Sequence, residues 1–396
     1  MSFVTDPAIG FELECRGIPL NNSSEKVISI GEDYPISARL KGKAFIIPGA
    51  PYNPNWALTA ETISDSIKRI ATEVVVGGPE GKGVKFSSNP EIGITVGNEI
   101  VAAIKEWAPR KGVEVRVKGF EGLGPWIIQK PEIYSPYLGW GLQVTAPFPL
   151  SKIQSIIVKP SALLERRSVQ AYPILTKESL PWIGSKKNGK AKYLENHDVL
   201  GFLTIVLAYV NAAKTNDPAQ GPKHSSSIMP RTDFRTMYVC TGVKAAVEDW
   251  IQKVRNNPDV KAHYGFEVVD LKSFVLAVGL DCGFRPRGET DFPATLVLRW
   301  EDWHDPRNQI YYLTIKDWLV GLQKDQDDVD LVSLYDKKYQ AGQIGGLGNK
   351  MERIIGGVKA LPIFEFRDLS SGFTEAVPRS LQKCEKAVRK AHKNTL

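Results

Sequence analysis

Carboxylates on apolar, strand-like sequence are the first residues of this 396-residue chain that could carry chemistry. In an extended segment successive side chains alternate between two faces, so Glu12 and Glu14 share one face and their apolar neighbours share the other. Two carboxylates so close repel each other in a poorly solvated site, and a divalent cation or a shared proton resolves that repulsion. A solvent-facing edge strand is the alternative for this stretch taken alone.

Two later stretches extend the set of carboxylates. Glu61 and Glu73 each lie in a strand-like apolar run, and a Gly-Gly-Pro turn ends the second run. Burial of a carboxylate is costly unless the group is paired or binds a metal. If the three strands converge on one face, their acidic residues would form an oxygen-rich site suited to Mg²⁺ or Mn²⁺: Glu12, Glu14, Glu61 and Glu73.

Basic residues that could bind an anion come later in the chain. Arg231 follows a long apolar segment and stands two residues before Asp233. It is therefore either a phosphate- or carboxylate-binding arginine or half of an Arg–Asp pair that fixes a turn. Arg299 lies near the end of an apolar strand, and in the last predicted strand Glu365 and Arg367 share one face.

The sequence gives little support for a nucleophilic cysteine or for a zinc site. The four cysteines are far apart and form no Cys-x-x-Cys pair, which disfavours a zinc site or a disulfide framework and favours a reducing compartment. Alternation places Cys15 on the apolar face, as an inert thiol. The cluster Asp302, His304 and Asp305 contains metal-ligand types, but its place just before a predicted helix favours capping.

The elements that must position these residues are a mixture of strands and helices. Apolar spacing predicts helices over 92–107, 198–213, 243–255 and about 309–322. Alternating or apolar runs predict strands over 7–20, 72–76, 142–147, 295–300 and 361–368. Glycine-, proline- or polar-rich segments predict loop insertions at about 21–42, 120–140, 214–228 and 340–358, within one compact domain spanning residues 1–396.

Charge and hydropathy limit the classes of partner. Basic residues exceed acidic ones by 7, but the excess is spread out apart from a basic run over 383–393. We interpret that run as a solvated helix face and disfavour a nucleic-acid partner. The chain starts without a signal-peptide pattern, and no apolar run approaches the roughly 20 residues of a membrane span. We expect a cytoplasmic protein, or one exported without a classical signal peptide, with no membrane partner.

These stretches together resemble the glutamine-synthetase-like carboxylate–amine ligases, and within them the amidoligase group. The strand with Glu12 and Glu14 matches the family's opening Glu-x-Glu motif, and Phe364-Glu365-Phe366-Arg367 matches its last motif. Three features depart from the pattern. Gln143 stands where the family has a histidine, and Gly77-Gly78 replaces a serine. The segments that carry Arg299 and Arg367 compete for one role, and the sequence does not decide between these two arginines. Intermediate matches follow the family's order, at Trp56, Glu61 or Asp65, Ser66 and residues 73–79.

The resemblance implies an α+β fold in which a curved, mainly antiparallel sheet binds ATP and metal on its concave face and helices cover the other face. It implies ATP-dependent amide formation through an acyl phosphate, from small-molecule or peptide carboxylate and amine substrates. Under this reading Glu365 is a further metal ligand or orients an arginine. The resemblance implies that Glu12, Glu14 and Glu73 hold Mg²⁺ or Mn²⁺ and that Arg231, Arg367 and Arg299 neutralise charge on the transferring phosphoryl group.

Two other functions remain open at the level of sequence. One is a toxin-type effector enzyme that modifies a host protein or nucleotide, which metal dependence would separate from a ligase. The other is a non-enzymatic binding protein, for which nine tryptophans and aromatic loops would furnish a recognition surface.

Overall fold

A computed structural model describes most of the chain. The described residues are 3–4, 8–22, 45–46, 55–63, 69–76, 84–85, 91–107, 112–117, 126–129, 140–159, 162–213, 227–301, 310–323, 351–353, 360–370 and 374–393. The fold is mixed α+β, with mainly antiparallel strand pairing and flanking helices, which confirms the predicted class. Among the described residues, no helix combines the length and the apolar character needed to cross a membrane.

Fourteen strands occur in the described residues. They are β1 (Phe3–Val4), β2 (Ala8–Asn22), β3 (Phe45–Ile46), β4 (Trp56–Ile63), β5 (Arg69–Val76), β6 (Val84–Lys85), β7 (Gly112–Val117), β8 (Trp126–Gln129), β9 (Gly141–Pro147), β10 (Ile228–Pro230), β11 (Val297–Glu301), β12 (Ile310–Thr314), β13 (Met351–Arg353) and β14 (Ala360–Ser370).

The α-helices of the described residues follow the same chain order. They are α1 (Ile92–Trp107), α2 (Ile153–Val158), α3 (His197–Ala212), α4 (Phe234–Cys240), α5 (Val243–Val254), α6 (Pro258–Tyr264), α7 (Leu271–Asp281), α8 (Ile315–Gln323) and α9 (Val377–Lys393).

The chain forms two compact units, each built from separate stretches. Unit 1 comprises Met1–Thr5, Pro147–Arg367 and Ala391–Leu396, and unit 2 comprises Asp6–Ala146 and Asp368–Lys390. Because the chain enters each unit more than once, the units are not consecutive along the sequence. A single-domain organisation stays a prediction.

Strand β2 is the centre of the sheet in unit 2. It pairs antiparallel with β5 and with β9, and also with β6 and β8. Alternation sends Phe11 and Leu13 to a fully buried apolar face, together with Val74 of β5 and Leu142 of β9. The acidic side chains of β2 therefore lie on the opposite face of the sheet.

Helices α1 and α9 pack closely against each other in unit 2. A Cβ atom at Gly97 would lie 2.5 Å from the Cα of Pro378, so only glycine permits this approach. The buried Glu385 carboxylate accepts a hydrogen bond from the Gly93 N–H (2.9 Å) and forms an ion pair with Arg389 (2.9 Å). One carboxylate therefore satisfies both the first turn of α1 and a cation of its own helix.

Unit 1 is organised around α3. Asn196 caps this helix through its side chain, and ten consecutive residues from Val199 to Ala208 are buried. A helix buried on all sides is what its continuous apolar sequence predicts. Its Tyr209 ring packs edge-on against Phe234 (4.9 Å between centroids), which in turn packs against Trp318 of α8 (5.0 Å). Beside the helices, β14 pairs with β10 and β13, and β11 pairs with β12.

Three elements differ from the sequence predictions. The helix predicted over about 309–322 begins with strand β12, because its aromatic and β-branched residues pair in register with β11, and only Ile315–Gln323 is helical. Strands β8 and β13 lie inside the predicted loop insertions at 120–140 and 340–358. β8 pairs with the distant strand β2 and β13 with the distant strand β1, and local composition does not reveal these partners.

Candidate functional site

The acidic face of unit 2 brings the predicted carboxylates onto neighbouring strands. Glu14 of β2 is the register partner of Glu73 of β5, so their side chains stand opposite each other on one face. Glu12 lies one strand step away on the same face. Glu73 is buried at 7% exposure, and Glu12 and Glu14 are half-buried. We call Glu12, Glu14 and Glu73 the acidic face.

Two residues of β9 lie next to Glu14. Gln143, the register partner of Glu12, donates a hydrogen bond from its Nε2 to Oε1 of Glu14. Gly141 is the register partner of Glu14, and a Cβ there would lie 3.4 Å from Oε2 of Glu14. The glycine therefore leaves space beside the carboxylate oxygen that Gln143 does not bind.

The acidic face offers a divalent cation two opposed carboxylates and not a complete set of protein ligands. Among the described residues, no group of three or more His, Cys, Asp or Glu side chains is arranged to hold a metal by itself. Mg²⁺ typically uses one or two protein carboxylates, several waters and substrate phosphate oxygens, rather than a complete protein cage. The opposed pair Glu14 and Glu73 supplies two such carboxylates. Glu61 lies on β4, but its side chain is outside the described residues.

A second group of predicted residues meets in unit 1. Glu365 of β14 is 1% exposed and forms ion pairs with Nη2 of Arg231 and with Nε of Arg367, the latter at 3.1 Å. The two arginines retain 19% and 26% exposure, so their outer edges reach solvent. We call Arg231, Glu365 and Arg367 the arginine–glutamate cluster. Its net charge of one positive unit suits an anionic ligand.

Strand pairing fixes the backbone of this cluster. Met229 of β10 is the register partner of Glu365, and the Arg367 N–H donates to the Ser227 carbonyl (2.8 Å). Just beyond β10, the Arg231 N–H donates to the Ile363 carbonyl (2.8 Å). Both arginines are therefore held by main-chain bonds to the neighbouring strand, which limits the positions their side chains can reach.

Tyr209 is a residue of this region that sequence reasoning missed. Its side chain is 1% exposed, and its hydroxyl has no hydrogen-bond partner among the described residues. Burial raises the pKa of the Tyr209 hydroxyl above its ordinary value, Tyr172 raises it further and Arg367 opposes the rise, so the group stays a neutral donor. Nε of Arg231 is likewise buried and without a described partner. A tyrosine inside an otherwise apolar helix was the available signal.

The structure gives Arg231 an acidic partner other than Asp233. Asp233 accepts a hydrogen bond from the Thr236 N–H (2.8 Å) and so caps α4, whereas Arg231 pairs with Glu365. The ion pair of Arg231 is therefore with Glu365 and not with Asp233 as in the proposed turn. Arg299 lies on β11, which pairs with β12 rather than β14, and its side chain is outside the described residues. The cluster at 302–305 is also outside them.

Comparison with known proteins gives no family assignment. No protein-family model and no curated protein matches the chain. Among solved structures, the chain is similar to a Vibrio cholerae toxin from the MARTX/VgrG family, with 10% sequence identity and a TM-score of 0.35 over 92% of this chain and 94% of that chain. A similarity at that TM-score carries no argument about this protein's function.

Proposed function

We propose that the protein is an ATP- and divalent-metal-dependent carboxylate–amine ligase. The observation that carries the proposal is the apposition of Glu14 and Glu73 in register on one face of an antiparallel sheet, with Glu12 one step along. A divalent cation between two carboxylates that face each other offsets their mutual repulsion, and carboxylate oxygens are preferred ligands of Mg²⁺. The space beside Oε2 of Glu14 that Gly141 leaves open supports a cation rather than a proton alone.

Each group of residues has its own role in this proposal. Glu14 and Glu73 would hold Mg²⁺ or Mn²⁺, and Gln143 would keep one Glu14 oxygen oriented. A metal ion held by these residues would supply positive charge that offsets the negative charge of the ATP phosphates. In unit 1, Arg231 and Arg367 present partly exposed guanidinium edges, which would bind an anionic group there. Glu365 would orient them.

The reaction proposed for these residues needs no protein nucleophile. A substrate carboxylate oxygen attacks the γ-phosphorus, the bond to the bridging oxygen breaks and ADP leaves. An amine then attacks the acyl carbon, phosphate leaves and the nitrogen loses a proton. The described cysteines agree with this, because burial raises the pKa of Cys240, of Cys282 and, to about 12, of Cys384. A thiol with a raised pKa is a poor nucleophile.

Calorimetric titration of a non-hydrolysable ATP analogue tests the proposal. The wild-type protein should bind the analogue in the presence of Mg²⁺ or Mn²⁺, and the metal-dependent part of the affinity should disappear in Glu14→Gln/Glu73→Gln. The matched control is Glu106→Gln/Glu375→Gln, which removes two exposed carboxylates of unit 2 and should bind as the wild type does.

The other outcomes select the alternatives. Nucleotide binding that is indifferent to metal would favour an effector enzyme of another class. Absence of binding under every metal condition would leave the non-enzymatic binding protein as the better hypothesis.

A further inference from the structure

The exposed face of α9 is a continuous line of cations. Spacings of four, three, four and three residues place these side chains one above another along the helix. A rise of 1.5 Å per residue gives about 5 Å between successive cations and about 21 Å for the whole line. We call it the basic stripe. All five side chains are exposed: Arg379, Lys383, Lys386, Lys390 and Lys393.

Within the described residues, the stripe lacks the acidic partners that the lysines of another helix, α5, have. On α5, Lys244 pairs with Glu248 and Lys253 pairs with Asp249, in each case across one helical turn. Members of the basic stripe form no ion pair with the described part of the chain. The one acidic residue of α9, Glu385, is buried and is occupied by Gly93 and Arg389.

This row of like charges lowers the stability of the isolated helix. Like charges three and four residues apart repel each other, and opposite charges at the same spacing would stabilise the helix by a similar amount. An aligned row of cations also attracts anions over a distance set by ionic strength. A polyanionic partner would remove the repulsion and add favourable pairs.

We propose that the basic stripe docks an acidic α-helix of another protein. Acidic residues repeated every three and four residues along a helix have the same axial spacing as the cations of the stripe, so the two rows can pair along their length. The described α9 contains no aromatic residue. Aromatic side chains on which bases stack are typical of single-strand nucleic-acid grooves, so the stripe fits an acidic protein segment better.

The test uses the full chain and two labelled helical peptides. The first is an alanine-based peptide with glutamates every three and four residues on one face, and the second has the same composition with the glutamates distributed around the helix. Binding is measured by fluorescence anisotropy at low and at physiological ionic strength (about 0.15 M). A labelled DNA duplex is titrated in parallel.

Two charge-matched variants locate the binding surface. Lys383→Glu/Lys386→Glu/Lys390→Glu reverses the centre of the stripe. Lys187→Glu/Lys190→Glu/Lys192→Glu makes the same change in net charge in an exposed hairpin closed by the Ile183–Lys192 bridge. Circular dichroism shows whether each variant is folded. Glutamate is a good helix former, so the α9 variant should retain its helix.

We expect the one-faced peptide to bind the wild type more tightly than the scrambled peptide, and more weakly as salt rises. The α9 variant should lose about tenfold or more in affinity, since three exposed ion pairs are removed and reversed. The hairpin variant should stay within about twofold. Equal losses in the two variants, equal binding of the two peptides, or tighter binding of the DNA duplex would each overturn the proposal.

Discussion

Two tyrosines of unit 1 have buried side chains but opposite hydrogen-bonding situations. The Tyr264 hydroxyl donates to Oδ2 of Asp281 at 2.7 Å, whereas the Tyr209 hydroxyl has no partner among the described residues. A buried donor without an acceptor destabilises the folded state, whereas a hydrogen bond to a charged acceptor stabilises it. The two residues therefore form a matched pair for mutagenesis.

We expect Tyr209→Phe to leave the free energy of unfolding unchanged or to raise it by up to ~1 kcal/mol, because an unsatisfied donor is removed. Tyr264→Phe should lower it by about 1.5 kcal/mol, because a bond to a carboxylate is lost. Urea unfolding of the two variants measures both values. A destabilisation of Tyr209→Phe as large as that of Tyr264→Phe would show that the Tyr209 hydroxyl has a partner in the folded protein.

Asp233 makes stability depend on pH in a direction that the fold specifies. Burial raises the pKa of its carboxyl above the ordinary value of 3.8, although the hydrogen bond from the Thr236 N–H opposes this. Because the pKa is higher in the folded state, stability falls as the pH rises from about 3.8, where the unfolded carboxyl ionises, through the folded pKa, and the loss is complete above it.

Asp233→Asn keeps an oxygen that can cap α4 and removes the charge. We expect this variant to be more stable than the wild type at pH 7 and the difference to shrink as the pH falls towards 4. Urea midpoints across this pH range measure the trend. A wild type that is the more stable protein at pH 7 would show that the ionised cap outweighs the cost of burial.

At the scale of elements, the contact between α1 and α9 depends on Gly97. In an open helix, Gly→Ala gains about 1 kcal/mol of helix propensity. Here the added methyl group would meet the Pro378 backbone at 2.5 Å, so we expect Gly97→Ala to destabilise the protein by about 1–3 kcal/mol. Thermal unfolding measures the effect.

Asn98→Ala is the control for Gly97→Ala, because Asn98 is exposed on the same helix. It should change stability by no more than about 0.5 kcal/mol or raise it slightly. If Gly97→Ala proved as stable as this control, the close approach of the two helices would not exist in solution.

The sequence predicts some elements well and others poorly, for physical reasons. The helix over 92–107 agrees with α1 residue for residue, because a regular apolar stripe and a proline after its end are local signals. Strand β8 was predicted as loop and β12 as helix, because a strand of four or five residues is defined by the strand with which it pairs.

The candidate site shows the same division between local and long-range information. Alternation correctly placed Glu365 and Arg367 on one face of β14, opposite two buried phenylalanines. The pairing of Arg231 with Glu365 and the opposition of Glu14 to Glu73 depend on strand register between distant segments. Register is set by long-range packing, so residue spacing could suggest these residues as a set but not their partners.

At the scale of the whole molecule, the proposed ligand should stabilise the fold. A metal–nucleotide complex that binds the folded state and not the unfolded chain raises the melting temperature by mass action. We expect the ATP analogue with Mn²⁺ to raise it, and neither the analogue nor Mn²⁺ alone to do so to the same extent. Glu14→Gln/Glu73→Gln should abolish the joint effect, and an equal shift in this variant would place the ligand elsewhere.

The most direct test of the ligase proposal is anomalous diffraction at the manganese edge, on crystals grown with Mn²⁺ and a non-hydrolysable ATP analogue. We expect a manganese peak between the carboxylates of Glu14 and Glu73, within bonding distance of an oxygen of each and of the analogue's phosphates. A bound analogue with no manganese at these two residues, or manganese bound only elsewhere, would contradict it.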